Sequence, residues 1–473
     1  MENLEANLNA SLESMRAAQL AEGIPTAAVR KARLQKCIDL LVDNQDPIAK
    51  ALDADYAGRP EPLTLMSEVM MPLNHLKMAI KNVETWMKPE RRKVQFPLGL
   101  FGARAELRYQ PKGVVGIMSP WNFPIAMIVN PLSQALAAGN RVMIKPSEFN
   151  PATADLLAEL FPKYFAEDEV AVVVGGPDVG AAFSSLPLNH ILFTGATTIG
   201  RKVMEAASAN LTPVTLELGG KSPTIVSRSA DIAATAERIT TGKCNNAGQV
   251  CLSPDYVFVP RESVEAFIDK AREVFREQYP KALDNPDYTA VINERHYARI
   301  MMYLAEIKEA GLRLENLGTE DPKEGDRRIP IHVCVDPTED LAVMNDEIFG
   351  PILIVKAYDD VEGCLDYINA RPSPLGLYYF GKNAAEQERV LNGTLSGGVS
   401  INEVIMHVSC VDLPFGGVGH SGIGSYHGRE GFKTFSHARG VYTEGKLNLM
   451  KLAGMAPPYS DKTRKALGSQ IKK

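Results

Sequence analysis

Residues 113–148 read GVVGIMSPWNFPIAMIVNPLSQALAAGNRVMIKPSE. Two short apolar runs, Val114–Met118 and 141–144, flank a stretch with helical patterning at roughly 125–139. Each run ends in loop-forming residues, Ser119-Pro120 after the first and Lys145-Pro146-Ser147 after the second. The alternation continues outward. Apolar runs at 170–174, 190–193 and 214–218 end at Gly175-Gly176-Pro177, Thr194-Gly195 and Gly219-Gly220, and helix-like stretches at 151–165, 178–185 and 198–209 lie between. Strands alternating with helices read as βαβ units, a parallel sheet with helices on both faces. Such sheets bind ligands at the carboxyl ends of their strands.

A second alternation follows, with strands predicted at Ser222–Val226, 256–259 and 352–355 and helices at 231–243, 263–277 and 294–310. The first ninety or so residues read as helices, with apolar residues at helical spacing over 28–42 and 62–86. Near Gly397 the chain turns Gly-rich, and 414–428 holds six glycines in fifteen residues, too many for a regular element and suited to a loop crossing between lobes. A chain of 473 residues predicts two or three domains, with a boundary near Leu218 where the first series ends.

Composition narrows the class. With 45% apolar and 23% charged residues the chain has material for an ordinary core, which excludes disorder over most of its length. A net charge of −6 gives no electrostatic reason to bind nucleic acid. The six cysteines, Cys37, Cys244, Cys251, Cys334, Cys364 and Cys410, form no CxxC pair, which argues against a disulfide framework or a metal site and for a reducing compartment. Leu4, Leu8, Leu12 and Met15 mark an amphipathic helix, not a signal peptide. No apolar run approaches the ~20 residues that span a bilayer. The stretch 461–473, with five Lys/Arg and one Asp, reads as a solubilising tail, a membrane or partner contact being the alternative. The expectation is a cytoplasmic protein with no membrane contact.

Five segments carry chemistry. Asn246-Ala247-Gly248-Gln249-Val250-Cys251 places a cysteine just after a Gly-containing turn, where a thiol can be exposed as a nucleophile; a buried structural cysteine is the alternative. Cys244, without such a turn, reads as packing. Glu217 ends an apolar strand, where a carboxylate is costly to bury without a role and tends toward a raised pKa, as a general base needs. The following Gly220-Lys221-Ser222 imitates a P-loop, but Thr215 stands where that motif needs Gly. In Ser119-Pro120-Trp121-Asn122-Phe123-Pro124 two prolines bracket Asn122, whose amide can donate to a developing oxyanion or make an Asx turn. Lys145-Pro146-Ser147-Glu148 offers an acidic residue to an adenosine ribose, or is a surface Lys-Glu pair. Phe193-Thr194-Gly195-Ala196-Thr197-Thr198-Ile199-Gly200 is a strand, a glycine turn and a helix start, a platform for pyrophosphate. The GxGxxG string at Gly417, Gly419 and Gly422 does not follow a strand into a helix and is accidental.

In order and spacing these segments resemble the aldehyde dehydrogenase superfamily from about Ala17 to His437. The Pro-Trp-Asn-Phe-Pro, Lys-Pro-Ser-Glu, Phe-Thr-Gly, Glu-Leu-Gly-Gly-Lys-Ser-Pro and Gly-Gln-Val-Cys segments match, as do Glu347-Ile348-Phe349-Gly350-Pro351 and Pro414-Phe415-Gly416-Gly417. The stretch from Leu413 to Gly428 is similar to the class 3 branch, and within it to the bacterial coniferyl aldehyde dehydrogenases. The resemblance implies catalysis by Cys251, Glu217 and Asn122 through a thiohemiacetal and thioester, with NAD, or NADP, as hydride acceptor. It implies cofactor contacts at Ser119, Trp121, Lys145, Ser147, Glu148, Thr194, Gly195, Ala196, Thr197, Thr198, Ile199, Gly200, Leu218, Gly219, Glu347 and Phe349. Phe123, Ile405, Met406 and Phe415 are the implied substrate walls. The implied substrate is an aromatic aldehyde such as coniferyl aldehyde; a medium-chain aliphatic aldehyde dehydrogenase and a coenzyme A-acylating relative are the alternatives, the second disfavoured by Glu217. Ala196 departs from the Ser of many members. Unlike membrane-bound class 3 members, the chain shows no apolar tail. The implied architecture is a Rossmann-like dinucleotide-binding domain (1–100 and 113–218), an α/β catalytic domain (219–402) and a return segment (403–437). A small β extension for oligomerisation (101–112 and 438–450) implies a homodimer.

Overall fold

In the computed structural model, which describes residues 2–323, 325–452 and 454–471, the alternation resolves into two mostly parallel sheets and a small antiparallel one. Met1 and the two lysines that end the basic tail, Lys472 and Lys473, lie outside the described residues. The first sheet runs in the order Gly422–Ile423, Val214–Glu217, His190–Thr194, Val114–Met118, Arg141–Lys145, Val170–Val172. Its strands are almost wholly buried, as a parallel sheet covered by helices on both faces requires. The second sheet runs Leu314–Asn316, His332–Val335, Ile352–Tyr358, Pro254–Pro260, Ser222–Val226, Gly376–Phe380, Gly398–Ile401. Only its edge strand Leu314–Asn316 is antiparallel. The third pairs Glu90–Arg92 and Ser436–Thr443 with Arg104–Pro111.

The two large sheets meet through residues 218–221, which join the end of Val214–Glu217 to the start of Ser222–Val226. Both contribute to one cavity of about 2310 Å³. The first sheet supplies the carboxyl ends of its strands, at Ser119, Lys145, Thr194 and Glu217. The second supplies mainly the loops that lead into its strands, at Lys221, Cys251, Phe349 and Leu375.

Two elements differ from the sequence expectation. The Gly-rich stretch 414–428 is a loop, yet it contributes the two-residue strand Gly422–Ile423, antiparallel to Leu216 and Glu217. The pattern over 62–86 is not one helix. It breaks into Glu61–Thr64, a π-helical turn Leu65–Met70 and Met71–Trp86. Pro72 has no N–H and its ring clashes with the carbonyl four residues back; the turn widens, and Met71 N–H donates to Met66 O, five residues back.

The close pairing of Gly422 sets a test of the fold. Its φ is +152°, and a Cβ there would lie 2.3 Å from the Leu216 carbonyl oxygen. Gly422→Ala is expected to destabilise by about 1–3 kcal/mol, read as a lower thermal midpoint; an unchanged midpoint contradicts this pairing.

Candidate active site

Glu217 is the last residue of its strand and sits opposite Gly422. It is 2% exposed, and among the described residues neither carboxyl oxygen has a hydrogen-bond partner. Burial alone pushes its pKa well above the usual carboxylate range. A carboxyl so placed binds a proton avidly once ionised, as a base acting on water or a thiol must.

Cys251 follows a loop more contorted than one glycine turn implies. Asn246, Ala247 and Gly248 have φ of 50°, 52° and 73°, three left-handed residues in succession, two of them not glycine. Buried side chains hold the loop. Gln249 Nε2 donates to the carbonyls of Asn246 (3.0 Å) and Ala290 (3.1 Å), and Gln249 Oε1 accepts from Ile292 N–H at 2.9 Å. Gly248 must be glycine, because a Cβ would lie 2.4 Å from the Gly350 carbonyl oxygen. Cys251 is half-buried and lines the cavity. Burial pushes its thiol pKa far up, with Glu347 and then Glu217 adding to the rise; the N–H groups of Cys251 and Leu252 pull the other way. The thiol is thus reachable but not already ionised. Cys244 is buried and belongs to the core cluster of the second sheet with Ile239 and Phe267, at the edge of the same cavity.

Asn122 makes no local turn. Its buried Nδ2 donates to the Gln249 carbonyl, two residues before Cys251, at 3.1 Å. Its own carbonyl accepts from Arg59 Nη1 at 2.7 Å.

On the other side of the seam the cavity wall fits a dinucleotide. Helix Thr197–Ser208 begins at Ala196, which is extended and gives no side-chain cap, so first-turn N–H groups are available to an anion. Thr197 Oγ1 donates to His420 O at 3.1 Å. Ser119 Oγ and Thr194 Oγ1 are buried without partners. Lys145 and Glu148 pair at 2.8 Å, and both line the cavity with Ser147, Gly195, Thr198 and Ile199. The Glu347 carboxyl lies against the backbone of Gly219, where a Cβ would be 2.0 Å from Oε2, and its Oε1 has no partner. Burial, then Asp255, raises its pKa to about 8, while Gly220 N–H, Lys221 and Arg299 pull it down. Two carboxylates, a bare helix start and unpartnered hydroxyls suit ribose hydroxyls and a pyrophosphate. Phe349, with φ of 45°, meets the Trp121 ring edge-on at 5.1 Å, and His296 lies 4.8 Å from it. Leu218 lines the same wall. Gly200 does not: it is buried beneath the wall, and a Cβ there would meet Leu218 Cδ2 at 2.6 Å. Its role is close packing of the helix on the crossing segment.

Phe123, Ile405, Met406 and Phe415 all line the cavity. Ile405 has φ of 66°, a strained conformation for a β-branched residue. Sequence reasoning missed Leu63, Met66, Met70 and Met71 from the broken helix, and Met127 and His296. Pro72 inside a helical pattern was the available signal for the break. For the methionines there was none, since apolar residues at helical spacing are usually core.

A family model for the aldehyde dehydrogenase family matches residues 3–441. The chain is 49% identical to the "Probable coniferyl aldehyde dehydrogenase" of Caulobacter vibrioides, over 99% of this chain and 98% of that protein. It is 45% identical to the coniferyl aldehyde dehydrogenase of a Pseudomonas species, over 95% and 93%. The solved structure "Substrate bound state of Staphylococcus Aureus AldH" is similar with a TM-score of 0.91 at 33% identity, over 98% of this chain and 99% of that one.

The electrostatics predict how Cys251 reacts. Its raised pKa means little thiolate at neutral pH, so peptide-resolved alkylation of Cys251 should climb to about pH 10 without the plateau that a free thiol of pKa ~8.5 approaches. Glu347→Gln removes a nearby negative charge that opposes thiolate formation, and should move the curve to lower pH. A plateau below about pH 8, or no shift in the variant, contradicts the reading.

Proposed function

The chain belongs to the aldehyde dehydrogenase family and is an NAD(P)-dependent oxidoreductase, and from that premise we propose that it oxidises an aromatic aldehyde, such as coniferyl aldehyde, to the acid through a thioester on Cys251. The observation that carries this is Glu217, a buried carboxyl with two unpartnered oxygens, in one cavity with the thiol.

The Cys251 sulfur, its proton given up to solvent through the cavity, attacks the aldehyde carbon as the thiolate and forms the C–S bond. The oxygen that gains charge takes hydrogen bonds from the Asn122 amide and the Cys251 N–H. A bound nicotinamide supplies acceptance of a hydride from the former aldehyde carbon. Ser119, Thr194, the start of helix Thr197–Ser208, Glu148 and Glu347 would hold the dinucleotide, with Phe349 and Trp121 against its ring. Glu217, its proton given up to solvent, then takes one from the water that attacks the thioester, as its raised proton affinity suits; the C–S bond breaks, the departing Cys251 sulfur takes that proton from Glu217 to become the thiol, and the acid departs.

Two relatives are named for coniferyl aldehyde, and the walls of this cavity support the same class of substrate. Phe123, Ile405, Phe415 and the thioethers of Met66, Met70 and Met127 all line the cavity and offer apolar surface suited to an aromatic ring. Burying a ring of ~150 Å² at ~25 cal/mol per Å² contributes roughly 4 kcal/mol before losses.

The same proposal divides the chain as expected: a dinucleotide-binding domain over 1–100 and 113–218, a catalytic domain over 219–402, a return segment over 403–437, and oligomerisation strands in 101–112 and 438–450. The assembly is a cytoplasmic homodimer. Among the described residues no helix is long and apolar enough to cross a membrane. Strand Ser436–Thr443 is a largely exposed edge that includes exposed Tyr442, and a second copy would cover it.

Steady-state NAD(P)H absorbance tests the reading. Coniferyl aldehyde is expected to have a kcat/KM at least about tenfold above that of acetaldehyde, since burial of a ring far exceeds burial of a methyl group. Equal or reversed values contradict the aromatic assignment.

A further inference from the structure

We propose that Arg59 and Glu68 are positioning residues that hold the 119–126 backbone so that the Asn122 amide faces the developing oxyanion. The proposal rests on the reading of Asn122 as oxyanion donor. Neither residue lines the cavity, so neither can act on substrate directly.

The two side chains form a fully buried ion pair, Arg59 Nη2 to Glu68 Oε1, at 3.1 Å. Each then reaches the Asn122 segment. Arg59 Nη1 donates to the Asn122 carbonyl at 2.7 Å. Glu68 Oε2 accepts from the N–H groups of Ile125 (3.1 Å) and Ala126 (2.7 Å), where helix Ala126–Ala138 starts and a negative charge suits the helix dipole. The guanidinium lies over the rings of Tyr56 (4.9 Å) and Phe123 (5.1 Å), which brackets Asn122 from the other side. Tyr56 Oη donates toward the carbonyls of Trp121 (3.2 Å) and Asn122 (3.1 Å).

The clamp extends to the nucleophile. Asn246 Nδ2 lies 3.3 Å from both the Asn122 and the Gln249 carbonyl oxygens, and Asn122 Nδ2 donates to that same Gln249 oxygen. Two carbonyls therefore tie the loop that carries the amide to the loop that carries the thiol, and Arg59 fixes one of them. A buried ion pair is a poor device for stability, because desolvation consumes most of its attraction. It is a good device for geometry, because guanidinium and carboxylate each offer several directed bonds. The π-helical turn that follows from Pro72 carries Glu68, fully buried, to this point.

Oxyanion donors work only when pre-aimed, and a misplacement of ~1 Å can cost on the order of a hundredfold. The test uses the full-length enzyme with NAD and measures three things: the pre-steady-state NADH burst, KM for the aldehyde, and NAD affinity from Trp121 fluorescence. Arg59→Lys keeps the charge but loses the fork. It is expected to slow the burst by about ten- to a hundredfold, with KM and NAD affinity changed less than about twofold. Tyr56→Phe removes one hydroxyl and leaves the ion pair, so it keeps the test open if the lysine variant folds poorly; its expected slowing is about three- to tenfold. In an Asn122→Ala background both losses should shrink to less than about twofold, because the group they aim is gone. Full losses in that background, or losses confined to KM or NAD affinity, overturn the positioning role. An Asn122→Ala enzyme with an unimpaired burst instead overturns the oxyanion reading beneath it.

Discussion

Four residues, 218–221, separate the last parallel strand of one sheet from the first strand of the next, and the chemistry is built around that short crossing. A link so short leaves the two sheets no freedom to drift apart, and it sets Glu217 at their seam. Gly219 and Gly220 make the link possible. The first accepts the Glu347 carboxyl against its backbone, and the second, with φ of +156°, lies against Pro374 and Leu375. From the far side Gly422 pairs with Glu217. The Glu217 carboxyl at this seam is 2% exposed and has no hydrogen-bond partner among the described residues, and its burial raises its proton affinity.

The seam also decides how charge is distributed in the cavity. Cys251, Glu217 and Glu347 all have raised pKa values, and the first cause in each case is burial. Glu347 and Glu217 each add to the rise at Cys251, so either carboxylate makes the thiol harder to ionise. The backbone carries a matching strain. Asn246, Ala247, Phe349 and Ile405 are non-glycine residues with positive φ, and each sits in or beside the cavity. Strain of this kind persists where packing over-determines it, as Gln249 does for the cysteine loop.

Much of this was legible in the sequence because the βαβ pattern puts strand ends where ligands bind, and the chemistry-bearing residues stand at strand ends or just beyond. Glu217, Asn122 and the Lys145–Glu148 pair could be picked out for that reason. Cys251 was marked by the glycine before it, but its neighbours' left-handed conformations are held by Gln249 through bonds to Ala290 and Ile292, about forty residues away in the chain. The strand Gly422–Ile423 was illegible because two residues carry no periodicity and their register is set by Glu217. The wall methionines and Glu68 were hidden in a helical pattern whose break depends on Pro72 and on a partner, Arg59, that no local rule connects to it. Gly200 lies outside the cavity lining, against Leu218, because a glycine at a helix start serves close packing as well as ligand approach.

The central claim is that Cys251 and Glu217 divide the reaction, the thiol carrying the acyl group and the carboxylate releasing it. Single-turnover kinetics of Glu217→Gln with mass spectrometry test this most directly. The account predicts one burst of NAD(P)H stoichiometric with enzyme, followed by a stall with the acyl group attached to Cys251. Sustained turnover at the rate of the unmodified enzyme would contradict it, as would an adduct on any other residue.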